Sequence, residues 1–336
     1  MRIAIVGAGS MGTLLGHGFC KAGHEVSVLD LPGRIAQVQS SGKLVVVTPD
    51  GDESAVRPAL ATVDYTEAGI HDVVILATKS QDLPAVAQGV SALTNSTSTI
   101  VTIQNGIPWW YFQGLQTNFG VSRIQCLDPD GLLERYIDTT RIIGCVAYPA
   151  ATIEPNGRVH HVEGFRFPVG ELDGSVRERT RVLAGLFEDA GFKSRVIDDI
   201  RSEIWLKAWG AIAINPISAL TRATMVDICS FDETRDLIAQ MMREVQDVAE
   251  AYGAKFRHTM KKRIDGARAV GAHKTSMLQD VESNRALELD ALLLAVIELA
   301  NLADKGIPTI RNIYACTALL NKNMCSSQEQ ADMGRS

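Results

Sequence analysis

The first thirty residues constrain the fold of this chain more than any other stretch. An apolar run, Arg2–Val6, leads into Gly7, Gly9 and Gly12 at GxGxxG spacing. Residues 13–22 then read as a helix closed by Gly23, and EVSVLD at 25–30 reads as a second strand ending in an acid. Strand, glycine turn, helix, strand and acid in this order form one half of a dinucleotide-binding βαβ unit. The first glycine permits a tight turn, the second lets a pyrophosphate approach the backbone, and the third lets helix pack on strand. The helix N-terminus offers N–H groups and positive potential to the phosphates. Asp30 stands where a carboxylate accepts hydrogen bonds from both ribose hydroxyls of NAD and repels a 2′-phosphate, although Arg34 lies near enough in sequence to reach one.

The pattern continues as an α/β domain. Strand-like runs at Leu44–Val47, 73–77 and 99–103 alternate with helical segments near 83–93 and 108–116, which predicts a parallel sheet covered on both faces. Ligands bind beyond the carboxyl ends of such strands, so the loops 78–80 and 104–106 are candidate site loops. Lys79 in the first could meet coenzyme oxygens, and the Asn105 amide in the second could hold a ribose or a substrate carbonyl. Between 142 and 169 alternating runs flank Asn156-Gly157, a hairpin signal. His160 and His161 lie in that hairpin without a third ligand in view, so no metal is expected there. A helix over 176–190 and a last strand at 193–196 complete this part.

Beyond Asp198 the strand signals stop. Residues 201–220 read as an apolar helix that Pro216 ends or kinks, with Lys207 between Trp205 and Trp209 and Asn215 two turns further on. A lysine in such surroundings has a partner, a task, or a stem packed on the rings with its ammonium in water. Ser230–Glu233 reads as a capping box for a long helix that Gly253 stops. Residues 258–270 read as a solvated helix, and 273–280, containing Ser276, as a polar loop or short turn. A strongly apolar helix over 286–305 carries Glu288 at its start, and Pro308 opens another to about residue 320. The expected organisation is therefore an α/β Rossmann domain over 1–197, an all-α domain over 198–324, and a disordered tail over 325–336.

Charge and composition narrow the partners. Among 336 residues, 33 Lys and Arg against 39 Asp and Glu leave a net charge of −6, which argues against nucleic acid or an anionic membrane. The apolar run 291–303 is too short to span a bilayer, the six cysteines form no CxxC pair, and MRIAIVGAGS is no signal peptide, so a soluble cytoplasmic protein is expected.

At this point the chain resembles the ketopantoate (2-dehydropantoate) reductase family over nearly its whole length. The matching pieces are GAGSMG at 7–12, TKSQD at 78–82, IQNGI at 103–107, WLK at 205–207, INPISAL at 214–220 and TSMLQDVESNRALELD at 275–290. The resemblance implies a Rossmann domain, a helical domain and an active site in the cleft between them. It implies hydride transfer from NAD(P)H to the ketone of a 2-oxo acid, 2-dehydropantoate becoming pantoate. On the same ground Lys207 is the catalytic general acid and Glu288 the active-site glutamate. Asn105, Asn215 and Ser276 bind substrate, and Gly7, Gly9, Ser10, Met11, Gly12, Asp30, Lys79 and Asn105 bind the coenzyme. A homodimer is compatible with this.

Two positions depart from the family pattern. Ala211 stands where the family usually has asparagine, which removes one substrate hydrogen bond of about 0.5–1.5 kcal/mol. Leu31 stands where it often has the arginine that grips the 2′-phosphate. Asp30 and Leu31 thus lean toward NAD, while family usage leans toward NADP. Two alternatives stay open: a relative acting on a bulkier or less polar 2-oxo or 2-hydroxy acid, and a dinucleotide sensor without turnover.

Overall fold

The computed structural model describes residues 1–115 and 120–333, with side chains described to residue 326. The chain divides into two compact units. The first comprises Met1–Asn105, Gln113–Leu115 and Asp128–Ile200. The second comprises Gly106–Phe112, 120–127 and the residues from Arg201 on.

In the first unit the chain runs β1 (Arg2–Val6), α1 (Ser10–Lys21), β2 (Glu25–Leu29), α2 (Pro32–Ser41), β3 (Leu44–Val47), β4 (Glu53–Val56), β5 (Leu60–Thr62), α3 (Tyr65–Ala68), β6 (Val73–Leu76), α4 (Leu83–Ala92) and β7 (Thr99–Thr102). It resumes with α5 (Leu132–Tyr136), β8 (Ile142–Cys145), β9 (Ala150–Ile153), β10 (Val159–Glu163), β11 (Val169–Glu171) and α6 (Glu178–Asp189). Seven strands form one sheet in the order β11-β8-β7-β6-β1-β2-β5, parallel except for β11, which runs against β8. β1, β2, β6 and β7 are buried throughout or nearly so because helices cover both faces. The core joins Ile3, Ile5, Val26, Ile75 and Val101 of the sheet to Leu15 and Phe19 of α1 and Phe187 of α6.

β3 does not join this sheet. It pairs antiparallel with β4 and parallel with β10, which pairs antiparallel with β9, in a second sheet of order β4-β3-β10-β9. This small sheet packs on α1, where a Cβ at Gly16 would lie 3.0 Å from the Leu44 side chain. The Asn156-Gly157 turn joins β9 to β10, as the hairpin signal predicts. The expected last strand at 193–196 is reduced to two isolated bridges, Lys193 to Arg166 and Val196 to Val169.

The second unit holds α7 (Ile200–Thr221), α8 (Met225–Ser230), α9 (Asp232–Ala251), α10 (Met260–Ala269), α11 (Ser276–Glu282), a π-helical turn (Asp290–Leu294), α12 (Ala295–Leu302) and α13 (Pro308–Met333). α7 continues through Pro216 rather than ending there. No described helix is long and apolar enough to cross a membrane.

Several expectations change. Residues 109–114 are turns, with Tyr111 N donating to the Pro108 carbonyl at 3.0 Å and Gly114 at φ +71°, and Gln116 lies outside the described residues. Trp109, Trp110, Tyr111 and Phe112 are buried within the second unit, so the division is interleaved rather than a single cut at 197. Ser230 ends α8 instead of capping α9; the side chain reaching back is Asp227, which accepts from Thr224 N at 3.0 Å. Residues 276–280, expected in a polar loop or short turn, belong to α11, which Thr275 caps by accepting from Leu278 N. Residues 325–333 extend α13 where a disordered tail was expected: no Gly or Pro interrupts 309–333, and Gln, Glu and Ala favour helix. Residues 334–336 lie outside the described residues.

Candidate active site

Every coenzyme-side position expected from the sequence falls at the carboxyl ends of β2, β1, β6 and β7, four neighbours in the parallel sheet. Gly7 follows β1 at φ +109°, its N–H donating to the Leu29 carbonyl at 2.7 Å. A Cβ there would lie 2.7 Å from Thr78 N, so the turn abuts the loop after β6. A Cβ at Gly12 would fall 1.8 Å from the Gly7 carbonyl oxygen, so only glycine lets α1 start this close to β1. At Gly9 a Cβ would meet nothing within 4 Å. Gly9 also caps α1 without a side-chain hydrogen bond, and no acid follows in the first turn, Ser10, Met11 and Gly12. The open side of the turn, the uncapped helix start and a first helical turn without an acid fit a pyrophosphate.

Asp30 is already engaged. Its carboxylate accepts from Ala8 N at 2.5 Å and Leu31 N at 2.7 Å, tying the glycine turn to the end of β2. Each oxygen keeps a further lone pair, so the group can still accept from hydroxyls. Lys79 caps the single turn Ser80–Asp82 after β6 and is half-buried. Burial pushes the Asp82 carboxyl up, Lys79 opposes that shift and Asp30 adds to it, so these charges share one neighbourhood. Burial beside Asp30 also pushes the Tyr65 phenol up to about 12. Tyr65 escapes sequence reasoning because its ring is placed by tertiary packing: a Cβ at Gly89 of α4 would lie 2.6 Å from it. Gln104 donates to the carbonyls of Leu76 and Thr78 at 2.8 and 3.1 Å, joining the two candidate loops. Asn105, half-buried, is the last residue of the first unit before the chain leaves it.

In the second unit α7 settles the environment of Lys207. Trp205 and Trp209 are four residues apart, share one face and are 0% and 1% exposed. Their indole N–H groups donate to Tyr111 Oη and to the Met242 carbonyl, each at 2.7 Å. Lys207 lies about half a turn from both, so it is not enclosed by the rings. Between residues 202 and 219 of α7, the positions not buried are Lys207, Ala211 and Asn215. Spaced by four, they form one accessible stripe on an otherwise buried helix. Ser276, exposed, opens α11. Glu288, 9% exposed, lies in the short segment before the π-helical turn rather than inside a first helical turn. That segment is held by Leu287 N donating to Asn321 at 2.9 Å, and the turn after it by Ile107 N donating to the Ala291 carbonyl at 2.8 Å. Gly106 (φ +81°) permits this approach, since a Cβ there would sit 2.3 Å from Ala291 O.

A Rossmann sheet with an open glycine turn, in one chain with a helical unit that exposes lysine and asparagine along a single stripe, defines a two-unit oxidoreductase architecture. Comparisons with known proteins give the particular family. Residues 3–174 match the family described as Ketopantoate reductase PanE/ApbA, and 199–321 match its C-terminal counterpart. A 2-dehydropantoate 2-reductase of Mesorhizobium japonicum is 41% identical over 316 residues, covering 94% of this chain and 96% of that protein. The crystal structure of a presumed ketopantoate reductase from Ralstonia solanacearum MolK2 superposes with a TM-score of 0.90 at 31% identity, over 96% of this chain and 98% of that one. A D-mandelate dehydrogenase bound to NADH and anilino(oxo)acetate shares the fold, with a TM-score of 0.81 at 19% identity over 96% and 99% of the chains. The chain belongs to the ketopantoate reductase family of oxidoreductases.

Proposed function

We propose that this protein reduces a 2-oxo acid, 2-dehydropantoate, to the 2-hydroxy acid with NAD(P)H. The observation that carries the reading is the stripe on α7, where Lys207 and Asn215 are the polar groups a buried helix leaves accessible. Gly7, Gly9, Ser10, Met11 and Gly12 would hold the pyrophosphate, and Asp30, Lys79 and Asn105 the rest of the coenzyme. The nicotinamide supplies the hydride when bound. Lys207 polarises the ketone and donates a proton to the oxygen as it gains negative charge. Glu288 accepts a hydrogen bond from substrate and orients the lysine side of the site, while Asn215, Ser276 and Asn105 position the substrate.

Steady-state rates with NADH and NADPH across a panel of branched 2-oxo acids test this reading. Activity should appear with 2-dehydropantoate, and Lys207→Ala should lower kcat by about 10²–10⁴-fold with coenzyme affinity nearly unchanged. No oxidation of either coenzyme with any member of the panel would sink it. A second reading, a bulkier or less polar 2-oxo acid, is favoured by Ala211, which places a methyl group in the middle of the stripe. Under it, Ala211→Asn raises turnover of 2-dehydropantoate; under the first reading the native chain is already efficient.

A further inference from the structure

The glycine turn does not account for all the polar surface around α1. Beside it, α1, α2, the start of β3 and the β9–β10 hairpin enclose a cavity of about 270 Å³. Ala8 and Thr13 form its wall on the glycine-turn side, and Arg34, Lys43 and Arg158 bring three cations to it against one carboxylate, Glu53. The hairpin is fixed over the cavity. Gln37 of α2 donates to the Pro155 carbonyl, and Gly157, at φ +87°, brings its backbone to where a Cβ would lie 3.1 Å from the Gln37 side chain.

The charges do not balance. Arg158 is paired with Glu53 at 2.8 Å. The Arg34 guanidinium meets the Gln37 amide oxygen at 3.4 Å, and neither it nor the Lys43 ammonium has a carboxylate partner among the described residues. Two cations facing one concavity repel each other, and an oxyanion that accepts from both removes that cost. A guanidinium fork matches phosphate geometry, and an ammonium adds a point charge. The volume exceeds that of a few waters at about 30 Å³ each and lies below the roughly 300–1,000 Å³ of pockets for larger ligands, which suits a phosphate with little attached to it.

We propose that this cavity is a phosphate-binding site in which Arg34 and Lys43 are the principal ligands. The phosphate belongs to a small metabolite separate from the coenzyme: Asp30, beside Ala8 where the cavity meets the glycine turn, opposes the coenzyme's 2′-phosphate as its occupant.

Calorimetric titration of the full chain with inorganic phosphate, alone and at saturating NADH or NADPH, tests the site. Inorganic phosphate that still binds at saturating NADPH, which fills any 2′-phosphate position, assigns a separate phosphate site. Phosphate that binds beside NADH but is displaced by NADPH is held at the coenzyme's 2′-phosphate position and overturns the proposal. The double variant Arg34→Gln, Lys43→Gln should weaken phosphate binding by about tenfold or more, as loss of charge-assisted hydrogen bonds requires, and leave NADH affinity unaltered. The melting temperature in phosphate-free buffer checks its folding, and Arg34→Lys, which keeps charge but not the fork, gives an intermediate loss if the double variant does not fold. No binding of phosphate, or equal binding by native and variant proteins, also overturns the proposal. Failure of NADH to bind while phosphate does would remove the coenzyme reading and leave the cavity assignment standing.

Discussion

Three glycines of one motif do three different things, and substitution separates them. At Gly12 a methyl would meet the Gly7 carbonyl oxygen at 1.8 Å, and backbone cannot yield as a flexible side chain can. Gly12→Ala should therefore cost at least the roughly 1–3 kcal/mol of an overpacked core, read as a lowered denaturant midpoint. Gly9→Ala meets nothing within 4 Å and Gly9 has φ −73°, which alanine adopts freely. Its stability should stay within about 0.5 kcal/mol of native, while coenzyme affinity falls because the methyl occupies the open side of the turn. A stable Gly12→Ala, or a Gly9→Ala that binds coenzyme normally, would contradict these roles. Asp30 joins the two effects, since its carboxylate holds Ala8 N and Leu31 N. Asp30→Ala should shift preference toward NADPH and also loosen the turn, so both coenzymes should show raised KM, NADH more than NADPH.

Elements in both units depend on buried polar groups that periodicity does not reveal. Glu244 of α9, 3% exposed, accepts from Thr309 N and Ile310 N at 3.1 and 3.0 Å and so caps α13 from another helix. Glu244→Ala leaves buried N–H groups without a partner and should cost about 1–3 kcal/mol in chemical denaturation. His71, 1% exposed, precedes β6. Its ring N–H at Nδ1 donates to the Gly69 carbonyl at 2.8 Å, and Nε2 lies 2.9 Å from Ser27 Oγ, from which the neutral ring accepts. Burial holds its pKa below the ordinary 6.5, against smaller opposing contributions. The folded state therefore binds fewer protons than the unfolded state near and below that value. This stabilisation is complete above about pH 6.5 and is lost as pH falls toward the depressed folded pKa. The difference in unfolding free energy between native protein and His71→Asn should shrink on acidification from about pH 7.5 to about 5.5. A constant or growing difference would mean that His71 is not held neutral.

At the scale of the molecule the two units are interleaved along the chain. The Tyr111 ring lies 6.1 Å from Trp205 and 5.9 Å from Tyr252, Phe112 lies 5.9 Å from Tyr252, and Trp205 donates to Tyr111 Oη. Residues 198–336 expressed alone would leave that indole N–H and those ring faces bare. Such a fragment should show no cooperative thermal transition by near-ultraviolet circular dichroism. A sharp transition would show that residues 106–112 are dispensable to the helical unit.

The short-range features were open to reading from the chain itself. Glycine spacing, apolar runs and the Asn-Gly turn act over a few residues, where backbone sterics and hydrogen-bonding rules operate, so β1 to β2, the hairpin, α7 and α9 came out close to where they were expected. The candidate residues were legible as types at spacings, and the stripe of Lys207, Ala211 and Asn215 follows from helical period alone once α7 is known to be buried elsewhere. What periodicity could not decide was partnership. The Leu44–Val47 run is equally suited to either sheet, and its pairing with β10 depends on a strand more than a hundred residues away. The tryptophans beside Lys207 lie on another face and belong to the core, a distinction that neighbouring letters in a sequence conceal. Glycine-turn chemistry, fold class and helical content were thus determined locally. The second sheet, the interleaved boundary, the capping of α13 and the cavity over α2 were decided only when distant segments packed, because each rests on burial and pairing between groups that share no local register.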